Sequence, residues 1–246
     1  MAKRENVGNV ISFELPSGIP VEIQEIDAYA EKALTNREEL ASGRAMNKVM
    51  RSALVSYNGQ PMPANEGEAN AIVLDMRSGD RNYLLLRIRM QSYGDEMIFN
   101  YKCPECKRTS GYRINLRECL DDGTFKIYPY SEDAPVQVET RGGIAEIDYS
   151  TGRTELWLAQ QDEIDTVKFA LARCKTLNGK KPTYKDMEQL SVNDLKNIRL
   201  AAVDLKGGLD PTIELNCLKC GNYFNVPVHL IPDFFIPVTT KESIGL

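Results

Sequence analysis

Two Cys-x-x-Cys pairs constrain the possible folds of this chain more than any other feature of its sequence. Cys103 and Cys106 lie near the middle of the chain, and Cys217 and Cys220 lie near its end. Strand-like residues flank each pair on both sides, which predicts two hairpins whose tight turns carry the sulfurs. Two such pairs are the ligand pattern of a closed, tetrahedral zinc site. We therefore predict one structural Zn²⁺ held by all four thiolates.

Other uses of four cysteines fit the pattern less well. A redox dithiol needs a Cys-x-x-Cys that opens a helix after a strand, and an open catalytic zinc site keeps one position for water. An iron–sulfur cluster also takes four cysteines, but paired hairpins favour zinc. An ordinary zinc ribbon separates its pairs by about 15–20 residues, whereas residues 107–216 separate them here. The ion would therefore join two distant parts of the chain.

Composition limits the classes of protein to which the chain can belong. Its 246 residues carry 30 basic and 35 acidic side chains, a net charge of −5, which disfavours a nucleic-acid binder. Hydrophobic residues make up 42% of the chain, enough for a core. No apolar run reaches the roughly 18–20 residues of a membrane span, and no secretory signal is visible behind Met1. We expect a protein made in the cytosol, where thiols stay reduced and bind metal.

The second half of the sequence resembles the first. Asp80 and Asp194 are 114 residues apart, as are Gly94 and Gly208 and the corresponding cysteines of the two pairs. Coincident spacing of helices and strands is the alternative to duplication. The constant offset predicts an α+β fold of two pseudo-repeats, each a hairpin, helices and a zinc-knuckle hairpin, joined by one split four-cysteine zinc ribbon. The predicted parts are an N-terminal arm (1–9), the first half (10–118), the second half (119–230) and a C-terminal arm (231–246).

Periodicity and punctuation residues predict individual elements within both halves. Asn58-Gly59 and Asn178-Gly179 are expected to break helices. The other predicted elements are a hairpin of residues 10–15 and 20–26, a helix opened by a capping box of Thr35 and Glu38, a short helix at 69–76, a helix capped by Asp80 with Leu84, Leu85 and Ile88 inward and Gly94 as its stop, a hairpin of residues 125–130 and 136–139, strands at 144–149 and 154–158, a helix at 162–177, and a helix capped by Ser191 and Asp194.

The remaining chemically active residues do not form a catalytic set. His229 is the only histidine, which limits acid–base and triad chemistry. We expect it to play a surface or core role, because the thiolates already fill the metal site. Cys119 and Cys174 are expected to be buried fillers. The apolar, proline-broken tail at 231–238 either folds back on its own core or reaches a neighbour. Four arginines of the first half form either a partner-facing patch or a solvated helix face: Arg77, Arg81, Arg87 and Arg89.

Three stretches resemble one known family. They are the run Asp80-Arg81-Asn82-Tyr83-Leu84-Leu85-Leu86-Arg87-Ile88-Arg89 followed by Tyr93-Gly94-Asp95, the knuckle Cys103-Pro104-Glu105-Cys106, and the opening Leu15-Pro16-Ser17-Gly18. The chain is similar there to the T-even-type baseplate hub and hub-assembly proteins of contractile-tailed phages. The resemblance covers most of the chain and is clearest over residues 78–106. That family's knuckle usually has Gly after its second cysteine, where this chain has Lys107 and Gly221.

The resemblance implies a non-enzymatic part of a phage tail. Such a protein would help to build the baseplate around the central hub, with several copies in a symmetric ring against other tail proteins. It would be found in the bacterial host cytoplasm during assembly and in the virion baseplate if retained. The alternative is a zinc-ribbon module that binds nucleic acid or a transcription complex, motivated by basic residues near the knuckles: Lys102, Lys107, Arg108, Arg113 and Arg117. A metal-dependent or redox enzyme is the third and weakest hypothesis.

Overall fold

The chain combines α-helices with small antiparallel sheets. The structure is a computed structural model that describes residues 9–228, 230 and 232–235. His229 and most of the two expected arms, 1–9 and 231–246, lie outside the described residues. The helices are α1 (Ala28–Ala33), α2 (Arg37–Ala41), α3 (Ala45–Ala53), α4 (Glu66–Asp75), α5 (Ser78–Tyr93), α6 (Leu116–Asp121), α7 (Gly152–Ala159), α8 (Thr166–Arg173), α9 (Tyr184–Glu188), α10 (Val192–Asp204) and α11 (Pro232–Phe235). The strands are β1 (Ile11–Glu14), β2 (Pro20–Ile23), β3 (Leu54–Tyr57), β4 (Gln60–Pro61), β5 (Glu96–Lys102), β6 (Thr109–Asn115), β7 (Lys126–Tyr128), β8 (Val136–Thr140), β9 (Gly143–Ile147), β10 (Cys174–Leu177), β11 (Gly208–Asp210), β12 (Thr212–Asn216) and β13 (Tyr223–Pro227).

The first sheet has the strand order β1-β2-β3-β4 and begins with the predicted hairpin. Ile11 of β1 lies opposite Ile23 of β2, and the alternation along β2 turns Val21 and Ile23 into the core. The prediction that Asn58-Gly59 breaks a helix is wrong. These two residues form the turn between β3 and β4, with φ of 52° and 71°, because an Asn-Gly pair readily adopts positive φ at both positions.

The second sheet has the order β10-β9-β8, with β9 in the middle, as β2 is between β1 and β3. Asn178 and Gly179, with φ of 53° and 74°, again form a turn after a strand, which corrects the second predicted helix break. The predicted hairpin of residues 125–130 and 136–139 is also wrong, because its two strands have other partners. β7 pairs with β11, and β8 pairs with β9.

Two more predictions in the second half need correction. Residues 154–158 were expected as a strand but belong to α7, which packs on α4 and α8. Packing outweighs the local alternation that favoured a strand there. The single helix predicted over 162–177 is in fact the helix α8 followed by the strand β10, because residues 174–177 pair with β9.

Helix boundaries follow the predicted punctuation in some places and not in others. Gly94 ends α5, and Ser191 with Asp194 forms the capping box of α10, as predicted. Thr35 is not the predicted cap, because Asn36 at the start of α2 accepts from two backbone N–H groups. Asp80 does not cap α5 either. It is buried in the first turn, where its Oδ1 accepts the backbone N–H of Ser17 at 3.1 Å, so it ties the first hairpin turn to the helix.

The buried apolar side chains form two clusters. The first combines elements of the first half with the end of the chain, including Ile213, Val226, Phe234 and Phe235. The second lies within residues 136–202 and includes Ile147 and residues of α8 and α10. Because both phenylalanines are buried, the described part of the tail folds back onto the first cluster. The predicted inward residues of α5, Leu84, Leu85 and Ile88, also belong to this cluster.

The second half meets the first along the start of α5. β11 packs on this helix, and Gly79 lies so close to Gly207 and Gly208 that no side chain fits between the two backbones. The guanidinium of Arg81 donates to Glu155 of α7 at 2.9 Å. The junction therefore combines a close backbone approach with an ion pair.

Candidate metal centre

Each cysteine pair lies in the loop of an antiparallel hairpin. β5 and β6 pair as far as Lys102 opposite Thr109, which leaves residues 103–108 as the first loop. β12 and β13 pair as far as Asn216 opposite Tyr223, which leaves residues 217–222 as the second loop. The prediction that strands flank both pairs is confirmed.

Backbone hydrogen bonds shape the first loop. Cys103 N–H donates to the carbonyl of Arg108 at 3.0 Å, and Lys107 N–H donates to the carbonyl of Cys103 at 3.1 Å. Lys107 adopts a φ of 60°, in the left-handed region. The two hydrogen bonds and the left-handed residue close the loop into a tight turn that carries both cysteines.

The second loop repeats this pattern with different side chains. Cys217 N–H donates to the carbonyl of Asn222 at 2.8 Å, and Gly221 N–H donates to the carbonyl of Cys217 at 2.9 Å. Gly221 adopts a φ of 73°. In both loops, therefore, the residue after the second cysteine has a left-handed backbone conformation. Only the second loop has glycine there, the residue that adopts this conformation most readily.

The structure brings the four sulfurs of Cys103, Cys106, Cys217 and Cys220 within 4.8 Å of one another. The Sγ atoms of Cys103 and Cys220 are 3.8 Å apart, and those of Cys106 and Cys217 are 3.7 Å apart. A Zn–S bond of about 2.3 Å gives a sulfur–sulfur edge of about 3.8 Å in a regular tetrahedron. The geometry is compatible with a metal site that spans the two hairpins.

The surroundings of the sulfurs support a rigid, partly shielded site. Cys103 and Cys217 are buried, Cys106 is half-buried and Cys220 is exposed. The rings of Tyr101 and Phe224 stack between the hairpins, with centroids 5.6 Å apart and planes 19° apart. The hairpins are therefore packed together by side chains as well as by their cysteines.

The two cysteines of the second loop have pKa values shifted in opposite directions. The backbone of Asn222 lowers the pKa of the Cys220 thiol, but burial and the neighbouring cysteine sulfurs outweigh it and raise that pKa to about 11. Backbone dipoles favour a thiolate at Cys217. The N–H groups of Cys220 and Lys219 point at the Cys217 sulfur and lower the pKa of its thiol to about 6. Lys219 N–H lies 3.5 Å from that sulfur. Hydrogen bonding to the charged form lowers a thiol pKa, and the thiolate is the form that binds metal.

The two other cysteines lie away from this group. Cys119 and Cys174 are buried, as expected for fillers. Burial raises the pKa of both thiols, that of Cys174 to about 11, which keeps them protonated near neutral pH. Across the residues that the structure describes, the four-cysteine group is the one cluster of three or more His, Cys, Asp or Glu side chains arranged to share an ion.

Two of the four arginines, for which the sequence indicated a partner-facing patch or a solvated face, have neither role. Arg81 and Arg89 are almost fully buried. Arg81 donates to the Val73 carbonyl at 2.6 Å and to Asn47 at 2.7 Å, besides its bond to α7. Sequence reasoning missed this anchoring role, because a buried arginine gives no signal apart from its position on the helix.

Arg89 anchors the end of the chain in the same way. It donates to the carbonyls of Phe234 at 3.0 Å, Gly94 at 2.7 Å and Glu96 at 3.1 Å. The guanidinium of Arg77 lies over the rings of two tyrosines of the second half, and that of Arg87 lies over Phe13. All four arginines therefore have partners within this chain.

Comparison with known proteins gives one match. The family model described as T4 bacteriophage base plate protein matches residues 11–236. No curated protein and no solved structure matches the chain. Among the described residues, none of the helices has the length and apolar character needed to cross a membrane.

Proposed function

The chain belongs to the T4 bacteriophage base plate protein family, and from this premise we propose that it is a structural or assembly component of the hub region of a contractile tail baseplate. Membership implies a structural baseplate role, a place in the virion tail and contacts with other baseplate components. The hub position, a symmetric ring of several copies and assembly in the host cytoplasm are the finer parts of the proposal. The family match over residues 11–236 is the observation that carries it.

The proposal includes a structural Zn²⁺ bound by Cys103, Cys106, Cys217 and Cys220. The support is the sulfur geometry and the two matching loops. Four thiolates would fill the coordination shell and leave no position for a reacting water. The ion would therefore hold the two hairpins together without taking part in a reaction. We propose accordingly that the protein is not an enzyme.

Internal duplication is also part of the proposal. α10 and β13 begin 114 residues after α5 and β6, and β12 ends 114 residues after β5. Each half has a sheet whose second strand lies between the first and third. Asp80 and Asp194 are both buried in the first turn of their long helices. Each half would supply two of the four sulfurs, and the ion would join the halves.

Two measurements test this function. Metal analysis of the purified chain should find one zinc per molecule, and antibodies should detect the chain in purified tails or in baseplate assembly intermediates. A chain that fractionates apart from tail particles and all their intermediates would contradict the baseplate role. A chain that incorporates into tails without bound metal would contradict the structural zinc site alone.

The nucleic-acid alternative keeps the same metal site but has less support. Arg113 Nη1 lies 3.8 Å from Glu96 Oε1, and Arg117 Nε lies 2.8 Å from Asp95 Oδ2, so part of the basic charge near the first knuckle is paired within this chain. A nucleic-acid module would show salt-dependent binding to DNA or RNA. We expect no binding at low salt in a gel-shift titration.

A further inference from the structure

The long helices of the two halves bury the same inner face. At the 114-residue offset, Leu84 of α5 corresponds to Ile198 of α10, and Ile88 corresponds to Ala202. All four side chains are buried. Along this face, both helices contribute to the hydrophobic cluster of their own half.

The outer faces of the two helices differ. Leu86 and Arg89 of α5 are 0% and 4% exposed, whereas their counterparts on α10, Leu200 and Val203, are 50% and 60% exposed. Val192, at the start of α10, is 82% exposed. Val192, Leu200 and Val203 lie on one side of α10 at helical spacing and reach solvent, with the exposed Lys196 between them.

Two short helices, α6 and α11, pack on α5. The second of them covers Arg89. Arg89 Nε donates to the carbonyl of Phe234 at 3.0 Å, and the Phe235 ring meets the edge of Tyr93 with centroids 6.5 Å apart. At Arg89, the counterpart of Val203, the occupant on the first half is therefore a short helix that brings two adjacent aromatic side chains.

We propose that the outer face of α10, formed by Val192, Lys196, Leu200 and Val203, is a docking surface for a short aromatic helical segment of a different protein of the particle. The inference rests on the proposed baseplate function. The face is about 17 Å long at 1.5 Å per residue, which matches two or three turns of a partner helix. A helix that lays its apolar face against another is a common recognition mode.

The identity of the occupant follows from burial and charge. Phe234 and Phe235 of this chain are already buried on α5, so a second copy folded in the same way has no free aromatic pair to offer. Lys196 is exposed within the face and Arg199 lies beside it. Their positive charge favours acidic residues next to the aromatic side chains of the partner.

The first test replaces the apolar side chains by charge. Phage tails are assembled with wild-type chain, with the double variant Leu200→Asp/Val203→Asp, or with the control Ile164→Asp. Ile164 is 56% exposed but lies outside α10. The amount of the double variant should fall about tenfold or more in purified tails, because a charge that is buried without a partner at the core of an interface weakens binding. Zinc content and thermal midpoint of both variants should match those of the wild type.

The outcomes separate this inference from the proposed function. Wild-type chain missing from tails and their intermediates overturns the function and the surface with it. Wild-type and double-variant chains present at equal levels overturn the surface alone. Loss of the double variant with retention of the Ile164→Asp control supports the surface.

A second measurement does not depend on the folding of the double variant. A photoreactive benzoylphenylalanine is introduced at position 203, and purified tails are irradiated and mapped by mass spectrometry. We expect a crosslink to a different tail protein within a peptide that contains aromatic and acidic residues. A crosslink to a second copy of this chain, to a peptide without aromatic residues, or to no protein at all overturns the inference.

Discussion

The long helices α5 and α10 begin 114 residues apart, but their side chains make different contacts. α5 holds two buried arginines, Arg81 and Arg89, which donate to backbone and side-chain groups from distant parts of the chain. At the same positions α10 has Leu195, which is buried, and Val203, which is exposed. Helix α5 is therefore buried on both faces and is joined to distant segments by hydrogen bonds of its arginines. Helix α10 buries one face and exposes the other to solvent.

The knuckles show the opposite relation, because their backbones agree while their side chains differ. Both loops have the same pair of hydrogen bonds and a left-handed residue after the second cysteine. A metal site fixes sulfur positions and so constrains the loops, whereas an outer helix face is free to change with its partner. We therefore expect that the two knuckle loops can replace each other without loss of the site, whereas α5 and α10 cannot replace each other.

The largest effect should come from removing either cysteine pair. Cys103→Ser/Cys106→Ser and Cys217→Ser/Cys220→Ser should each abolish zinc binding, because neither pair alone fills a tetrahedral site. A structural zinc contributes about 10–16 kcal/mol apparent, comparable to the whole stability of a domain at about 5–15 kcal/mol. Both variants should therefore lose the ribbon and unfold at much lower temperature, as measured by metal analysis and calorimetry.

The matched control for the cysteine pairs is Cys119→Ala/Cys174→Ala. It removes two buried cysteines outside the site and should keep one zinc per chain. If either knuckle variant kept full zinc occupancy, the two loops would not share one ion and the comparison would fail.

The next largest effect concerns the start of the long helices. Gly79→Ala places a Cβ against the Gly207 carbonyl and the Gly208 backbone, whereas the counterpart Asn193→Ala only trims an exposed side chain. Overpacking of this kind costs about 1–3 kcal/mol, so Gly79→Ala should lower the urea midpoint clearly and Asn193→Ala should not. Equal midpoints for the two variants would mean that α5 and β11 do not approach each other as closely as described.

A smaller effect should appear at the left-handed residue of each knuckle. A side chain in that conformation costs about 1–2 kcal/mol, and a Cβ at Gly221 would meet no neighbouring atom, so backbone strain is the main term. Lys107→Gly should therefore raise the thermal midpoint and Gly221→Lys should lower it. Shifts of the same sign in zinc-loaded protein would show that side-chain contacts, rather than the shared backbone, decide the outcome.

The grouping of the four cysteines was more predictable from sequence than the packing around it. Cys-x-x-Cys spacing, flanking strands and the stop at Gly94 are local signals, and the structure has each of them. Asn58-Gly59 was also a local signal, but its meaning depended on whether a strand or a helix preceded it. The local pattern could not decide this, because β3 pairs with the distant β2 as well as with the adjacent β4.

The missed features all depend on contacts between distant residues. The buried state of Arg89 requires the carbonyl of Phe234, which lies 145 residues away. Residues 126–128 pair with β11 rather than with the adjacent β8, and no turn signal reports that choice. The exposed face of α10 was invisible for a related reason, since helical periodicity identifies apolar positions but not whether another element covers them.

The smallest expected effect lies in the buried aspartates, whose pKa values shift in opposite directions. Burial raises the pKa of Asp80 above its ordinary value. The Ser191 hydroxyl, 2.7 Å from Asp194 Oδ2, lowers the pKa of Asp194, and the backbone groups of Ser191 and Arg141 add to this. The two carboxyls occupy equivalent first-turn positions, so the contrast reports the environment rather than the helix.

The sign of each pH dependence follows from linkage. A raised folded-state pKa means that Asp80 favours the fold below its unfolded pKa, and this contribution is lost as the pH rises through the folded pKa. A lowered pKa means that Asp194 favours the fold above its unfolded pKa, and this contribution is lost as the pH falls through the folded pKa. At neutral pH the ionised Asp80 is therefore a cost and the ionised Asp194 is a gain.

Replacing each carboxyl by its amide should therefore act in opposite directions. Asp80→Asn keeps an acceptor for Ser17 N–H and removes the cost of a buried charge, so it should raise the urea midpoint at neutral pH. Asp194→Asn should lower it, because the amide accepts more weakly from Ser191. Carboxyl-carbon NMR titration of the wild type checks the two pKa directions independently. Midpoints that shift the same way in both variants would mean that the two helix starts are alike in environment as well as in position.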